Sequence, residues 1–369
     1  MGDTTTLQNC AKEYLKRFNK KTTEERIPLS GGFDLTHRCN LKCLHCFLGD
    51  KTKSNSRQKK ELNTSQWLKI IDDITQAGCL NLLITGGEPF IREDFPIIFR
   101  HAKENGLLVE IFTNGTMIND DVLALFKELP PHGIEISLYG ATAETYEKIS
   151  GVPGSYKKCL KGIEKLLDNK INLKLKTILM TVNNHEFFDI ENMAKDFGVK
   201  FRFDPAILPC FDGDRTPITL RVEPEEAVKK ELHDKKKALK WKEYFEKMQG
   251  ITIPDKLYNC GSGQTTFHID PYGHLQPCMM VSDIQYDLLN GSFIKGWEEV
   301  IPKVKERSGG KEFVCNKCEK MYLCSFCPGF FKVENGSEYI PSEYLCAMGQ
   351  YRLNAINTME KIINIEKLS

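Results

Sequence analysis

The chain has almost no excess of either charge: 51 lysines and arginines stand against 50 aspartates and glutamates, a formal net charge of +1. A nucleic-acid or anionic-membrane partner would need a basic face that this balance does not advertise. Long apolar runs are also missing. Nothing approaches the roughly 18 apolar residues of a membrane span, and the polar opening from Met1 to Leu7 lacks the apolar core of a signal peptide. The expected compartment is therefore the cytoplasm, with no nucleic-acid and no membrane partner. What is plentiful is cysteine, with fourteen in 369 residues. In a reducing compartment thiols seldom pair, so metal ligation is the first use to consider.

Short β-rich runs alternate with helical patterns between Phe33 and Pro205, which is the signature of repeated βα units around a parallel sheet. Strands are expected at Phe33–Thr36, Leu80–Thr85, Leu107–Thr113, Gly133–Leu138, Asn172–Met180 and Val199–Asp204. The intervening segments carry the i, i+3, i+4, i+7 stripe, as in Trp67, Ile70, Ile71, Ile74 and in Phe95, Ile98, Phe99, Ala102. Cys159 falls on such a stripe and reads as an ordinary core residue. Asn119 is placed to cap one helix, and Gly78, Gly106 and Gly198 follow the ends of others. The fold class is α/β, either a partial (β/α)6 TIM-type barrel or a doubly wound sheet, because periodicity does not specify strand order.

The chain divides into a lead-in (1–32), a core (33–205), a charged helical connector (206–257), a cysteine-rich segment (258–350) and a helical tail (351–369). The lead-in is too short for a built-in recognition domain. The connector, with Glu225, Glu226, Lys229, Lys230 and Lys235–Lys237, reads as a solvated bridge.

Cys39, Cys43 and Cys46 form C-x3-C-x2-C directly after the first strand, where a barrel displays its functional loops. Three thiolates on a four-iron cluster leave one iron without a protein ligand, whereas a purely electron-carrying cluster normally has four cysteines. A zinc site completed by His37 or His45 is the alternative. Gly86-Gly87-Glu88-Pro89 directly follows the second strand and so lies on the same rim.

Jointly these motifs resemble the core of the radical S-adenosylmethionine (SAM) superfamily over residues 33–205. The resemblance implies that Cys39, Cys43 and Cys46 hold a four-iron cluster whose open iron chelates SAM, with Gly86, Gly87, Glu88 and Pro89 holding its amine. Thr113 and Asn114 after the third strand would shape the SAM pocket, and Ser137 at the end of the fourth would meet the ribose. The chain departs from the family in lacking a glycine-rich signature on the fifth strand, where Lys174, Lys176 and Thr177 stand.

A second array comprises Cys260, Cys278, Cys315, Cys318, Cys324, Cys327 and Cys346. Paired C-x2-C motifs alone suit a zinc ribbon. Beside a radical SAM core the array instead resembles a SPASM domain, which carries two auxiliary iron–sulfur clusters. The family pattern assigns Cys315, Cys318, Cys324 and Cys346 to an outer cluster and Cys260, Cys278 and Cys327 to an inner one, a ligand short, with Cys210 as a candidate fourth. Cys324 and Cys327 are two residues apart where the family usually has three. Cys10 and Cys79 default to small buried residues, and Asp212, Asp214 and Arg215 to a solvated loop.

The resemblance implies an enzyme that modifies a ribosomally made peptide, forming a carbon–carbon or carbon–sulfur link. Its expected partners are that peptide, a flavodoxin or ferredoxin as electron donor, and a separate leader-peptide-binding protein. A sulfatase-type formylglycine maturase is the alternative, though Met279 follows Cys278 where those enzymes place an aspartate. A nonenzymatic zinc or iron–sulfur scaffold is a further one, and it would not require Gly-Gly-Glu-Pro.

Overall fold

The computed structural model describes residues 4–49, 60–249 and 255–368. Six parallel strands form in chain order, β1 (Ser30–Thr36), β2 (Asn81–Gly86), β3 (Leu108–Thr113), β4 (Gly133–Ser137), β5 (Leu173–Ile178) and β6 (Lys200–Asp204). Among these six, pairing is only between sequence neighbours, giving the order β6-β5-β4-β3-β2-β1. A doubly wound sheet would reverse direction at a switch point. The unbroken order is that of the partial TIM-type barrel.

The cysteine-rich half continues this sheet rather than standing apart from it. Strand β7 (Thr266–Ile269) pairs parallel with β1, and β8 (His274–Gln276) and β9 (Tyr286–Asp287) extend it antiparallel.

Before β1 lies α1 (Thr4–Glu24), and helices α2 (Thr64–Gln76), α3 (Phe95–Glu104), α4 (Asp120–Glu128), α5 (Ala143–Ser150), α6 (Ser155–Asp168) and α7 (Phe187–Asp196) cover the outer face of the sheet. Their start signals act as expected: Asn63 and Gln66 form a capping box at α2, and Asn119 accepts from the Val122 amide at α4. Gly78, Gly106 and Gly198 each take a positive φ just beyond a helix. The outer face is apolar, with the Phe33 and Trp67 rings tilted against each other at 4.8 Å and with Ile84, Ile111 and Ile136 fully buried. Strand alternation turns the residues between them inward. There Lys174 pairs with Glu110 at 2.8 Å, and Arg202 grips Glu135 with two nitrogens. The barrel interior is thus charged and mostly paired, and both lysines of the fifth strand point into it.

The connector differs from a solvated bridge. Of its helices α8 (Pro224–Leu232) and α9 (Lys235–Met248), the first buries Ala227 and Val228 against Met348. Met348 belongs to α11 (Glu343–Leu368), which follows α10 (Pro328–Asn335) and runs unbroken through residue 350. Arg221 ties the halves together, donating to the Ile207 carbonyl and Glu334 with its guanidinium 4.8 Å from the Tyr344 ring centre. Residues 1–3, 250–254 and 369, which fall in the expected lead-in, connector and tail, lie outside the described residues.

Candidate functional site

The loop carrying the first three cysteines is held on three sides. Where it leaves β1 the register slips, Asp34 opposing Thr85 but Thr36 opposing Gly86, so the chain turns out of the sheet there. Glu61 grips the start, accepting from the Thr36 hydroxyl at 2.8 Å, the His37 amide at 3.0 Å and Arg38 Nε at 3.1 Å. On the far side the Lys42 and Leu44 amides donate to the Ser150 and Ile149 carbonyls at the end of α5.

The third support is Gly-Gly-Glu-Pro. The Gly87 amide donates to the Thr36 carbonyl at 2.7 Å and the Glu88 amide to the Arg38 carbonyl at 2.8 Å. A Cβ on Gly87 would sit 2.0 Å from the Arg38 oxygen, and one on Gly86, at φ +120°, would sit 2.3 Å from the Thr36 oxygen. Glycine is required at both positions by the backbone approaching from β1. Pro89 opens a short turn that Glu88 caps.

Glu88 is fully buried and faces Thr113 and Asn114. Its carboxylate accepts from the Thr113 hydroxyl at 2.8 Å, the Asn114 amide at 2.9 Å and the Phe90 amide at 3.3 Å. Burial outweighs these donors and pushes its pKa up to about 7. The Asn114 side chain completes the circle, donating to Asn40 at 2.9 Å and approaching Cys39 Sγ at 3.9 Å. Five of the expected residues, Gly86, Gly87, Glu88, Thr113 and Asn114, therefore meet around Cys39.

Ser137 ends β4, and its hydroxyl bonds that of Tyr139, which sequence reasoning missed. Tyr139 is buried, and its pKa is raised by that burial and then by Cys43, with Cys46 and Cys39 adding, so the phenol lies within electrostatic reach of all three thiols. His45 lies edge-on to the same ring, at 4.7 Å. His37 instead bonds Asp34 at 3.2 Å, which His268 of β7 approaches at 3.4 Å.

Cys210 departs from expectation. Its thiol donates to the Cys46 carbonyl at 3.3 Å, and the Phe211 amide to the Phe47 carbonyl at 2.9 Å, so it braces the first cysteine loop. Asp212 and Asp214 of this segment are exposed as expected, while Arg215 reaches the Glu334 carbonyl. Cys10 is exposed on α1 rather than buried; Cys79 and Cys159 are buried, and each thiol is pushed up to about 12.

The remaining seven cysteines fall into two neighbourhoods. Burial and then the nearby Cys346 and Cys318 raise the Cys315 thiol to about 12, and Cys324 is raised to about 12 by burial and then by Cys346, Cys315 and Cys318. Separately, Cys278 is raised to about 11 by burial, with Cys327 and Cys260 adding to it. Thiols crowded this way resist ionisation until cations arrive to reverse the local field. Among the described residues no three Cys, His, Asp or Glu side chains converge on a single ion.

Residues 33–197 match the profile of the Radical SAM superfamily. That span of the chain is a Radical SAM domain. It is similar to the AdoMet-dependent heme synthase of Methanosarcina barkeri, 26% identical over 337 residues that cover 85% of this chain and 95% of that one. It is equally similar to the antilisterial bacteriocin subtilosin biosynthesis protein AlbA of Bacillus subtilis, 26% identical over 342 residues covering 86% and 70%. Among solved structures it resembles Streptococcus suis SuiB bound to S-adenosylmethionine, with TM-score 0.68 and 16% identity, covering 92% of this chain and 80% of that one. SuiB bound to its precursor peptide SuiA gives the same TM-score and coverage at 17% identity. At these identities the structures establish a shared fold. The radical SAM core makes this chain an enzyme, one that cleaves SAM on a four-iron cluster. Among the described residues no helix is long and apolar enough to cross a membrane.

Proposed function

We propose that this enzyme is a cytoplasmic peptide maturase, using the radical made at its barrel mouth to form a carbon–carbon or carbon–sulfur link in a ribosomally made peptide. The observation that carries the reading is the division of the C-terminal thiols into a quartet and a trio next to a radical SAM core. Its support from similarity is the relation to a bacteriocin biosynthesis protein and the shared fold with SuiB, which was captured with a precursor peptide.

When bound, the reduced cluster and its SAM supply an adenosyl radical that takes hydrogen from substrate. Cys39, Cys43 and Cys46 would hold that cluster. Gly86 to Pro89 fix the loop by backbone contact, Glu88 positions Thr113 and Asn114 along the SAM pocket, and Ser137 meets the ribose. Tyr139 fills the floor beside the thiols and excludes water. The quartet and the trio hold two auxiliary clusters. A flavodoxin or ferredoxin supplies the electron, and a separate leader-binding protein presents the peptide.

The test is anaerobic reconstitution followed by reductive SAM cleavage. Cys43→Ala should abolish 5′-deoxyadenosine formation while leaving the auxiliary iron; a wild-type rate in that variant would reject the site. The heme synthase similarity, which runs nearly the length of that protein, favours a second reading in which the substrate is a tetrapyrrole. Stimulation of 5′-deoxyadenosine formation by an iron porphyrin and not by a precursor peptide would establish it.

A further inference from the structure

A groove of about 500 Å³ lies where α9 meets the loop bearing Cys324. Helix α9 contributes Lys237, Lys240, Trp241 and Tyr244, and the loop contributes Tyr322 and Ser325, which lie two residues before and one residue after that cysteine. Arg352 of α11 stands behind the wall. Its guanidinium is 4.6 Å from the Trp241 ring centre, and it donates to the Leu323 carbonyl at 2.6 Å and to Glu231 at 2.7 Å. Its charge also acts on Cys324, opposing the rise caused by burial. The wall of the groove is thus one side-chain layer from the thiol quartet.

The charge of the groove is one-sided. Glu231, its acidic lining residue, is neutralised by Arg352 and also accepts from Trp241 Nε1 at 3.2 Å. Lys237 and Lys240 have no ion-pair partner among the described residues, although the α9 lysine Lys242 pairs with Glu246. Lys240, together with Lys237, which feels Asp234 one turn earlier, forms a cationic rim above an aromatic floor on a molecule whose net charge is only +1.

We infer that this groove docks an acidic one-electron redox protein of the flavodoxin or ferredoxin class, which passes its electron to the cluster held by Cys315, Cys318, Cys324 and Cys346. The inference rests on the reading of those thiols as an auxiliary cluster site. The step moves one electron and no atoms: the partner is oxidised by one electron and the cluster is reduced by one. Small interfaces steered by charge are typical of electron-transfer encounters, which need speed more than lifetime. The groove supplies both elements, a compact aromatic contact and a cationic rim, at the point of the surface where the quartet is nearest in sequence.

The experiment mixes reconstituted enzyme with a purified, acidic bacterial flavodoxin. It measures the dissociation constant by calorimetry at several salt concentrations and the rate of hydroquinone oxidation by stopped flow. The wild-type affinity should fall steeply with salt. Lys237→Glu/Lys240→Glu should weaken binding and slow hydroquinone oxidation by about tenfold or more, while 5′-deoxyadenosine formation driven by dithionite stays at the wild-type rate. The same charge reversal at Lys157 and Lys158, exposed on α6, should leave both readouts unchanged. Unchanged binding and oxidation in the α9 variant would overturn the inference, as would an equal loss in the α6 variant, which would mean that net charge alone matters. Failure of the underlying reading looks different, since wild-type protein would then lack the quartet's iron whatever the donor.

Discussion

At the scale of single residues, the motif read as a SAM contact has a second task in backbone packing. Gly86 and Gly87 admit the chain leaving β1 and spend two amides on it, while Glu88 turns away into the protein. The cost of burying Glu88 sets a pH signature. Its pKa moves from an ordinary 4.5 to about 7, so the folded chain keeps a proton that the unfolded chain has released. Stability is then highest at or below about pH 4.5 for this group, falls as pH rises to about 7, and is level above, a swing of roughly 3 kcal/mol. Glu88→Gln cannot ionise, so urea midpoints of the metal-free variant should fall less than wild type across that window. Parallel curves for the two proteins would reject Glu88 as the titrating group. The sequence showed Glu88 as a functional residue but could not show its direction, because the donors that orient it arrive from β3, 25 and 26 residues along the chain.

At the scale of elements, the strands were legible to within about three residues because alternation and helical stripes are local signals. Three features were not. Helix α1 carries the spacing Leu7, Ala11, Tyr14, Phe18, yet it precedes the first strand and falls within the lead-in. Strand β7 is four residues long and gains its identity from pairing with β1, across more than 230 residues of chain. The connector is rich in charge, yet Ala227 and Val228 are enough to seat α8 on α11. Packing between α6 and the SAM pocket allows a sharper test, at Gly162. Alanine there would improve helix propensity by about 1 kcal/mol, but its Cβ would lie 2.1 Å from the Gly115 carbonyl oxygen. Backbone has nowhere cheap to move, and overpacking of this kind costs about 1–3 kcal/mol. Gly162→Ala should therefore lower the urea midpoint and, by displacing the turn that Thr113 and Asn114 begin, weaken SAM binding. A variant as stable as wild type, binding SAM as tightly, would show that the turn yields freely.

At the scale of the whole molecule, fourteen thiols are sorted by the fold into places that spacing alone left ambiguous. The C-terminal thiols lie in two neighbourhoods even though Cys324 and Cys327 are close in sequence, because Cys327 caps α10 and turns toward Met280 while Cys324 faces α11. Of the other four, Cys79 and Cys159 are the buried residues expected, while spacing did not reveal the position of Cys210 or the exposure of Cys10. Cys210 braces Cys46, Cys159 lies under Gly115, Cys79 bonds the Leu29 carbonyl, and Cys10 is on α1. Cys210, Cys159 and Cys79 are thus engaged elsewhere, and on the proposed reading Cys260, Cys278 and Cys327 would supply three thiols to a cluster that normally takes four. The prediction is an exchangeable position on that cluster. Protein carrying Cys39→Ala, Cys43→Ala and Cys46→Ala should retain about eight irons of an initial twelve. Adding a small thiol should shift its iron–sulfur spectrum, and that shift should vanish with Cys278→Ala, which dismantles the trio, but persist with Cys210→Ala. The last comparison decides between two geometries. If Cys210 closed the inner site, its removal would disrupt the inner spectrum and the thiol would have no effect on the parent. With the Cys210 thiol donating to the Cys46 carbonyl, the expected outcome is persistence of the shift, and a peptide thiolate taking the same position would present sulfur to a carbon radical for a thioether link.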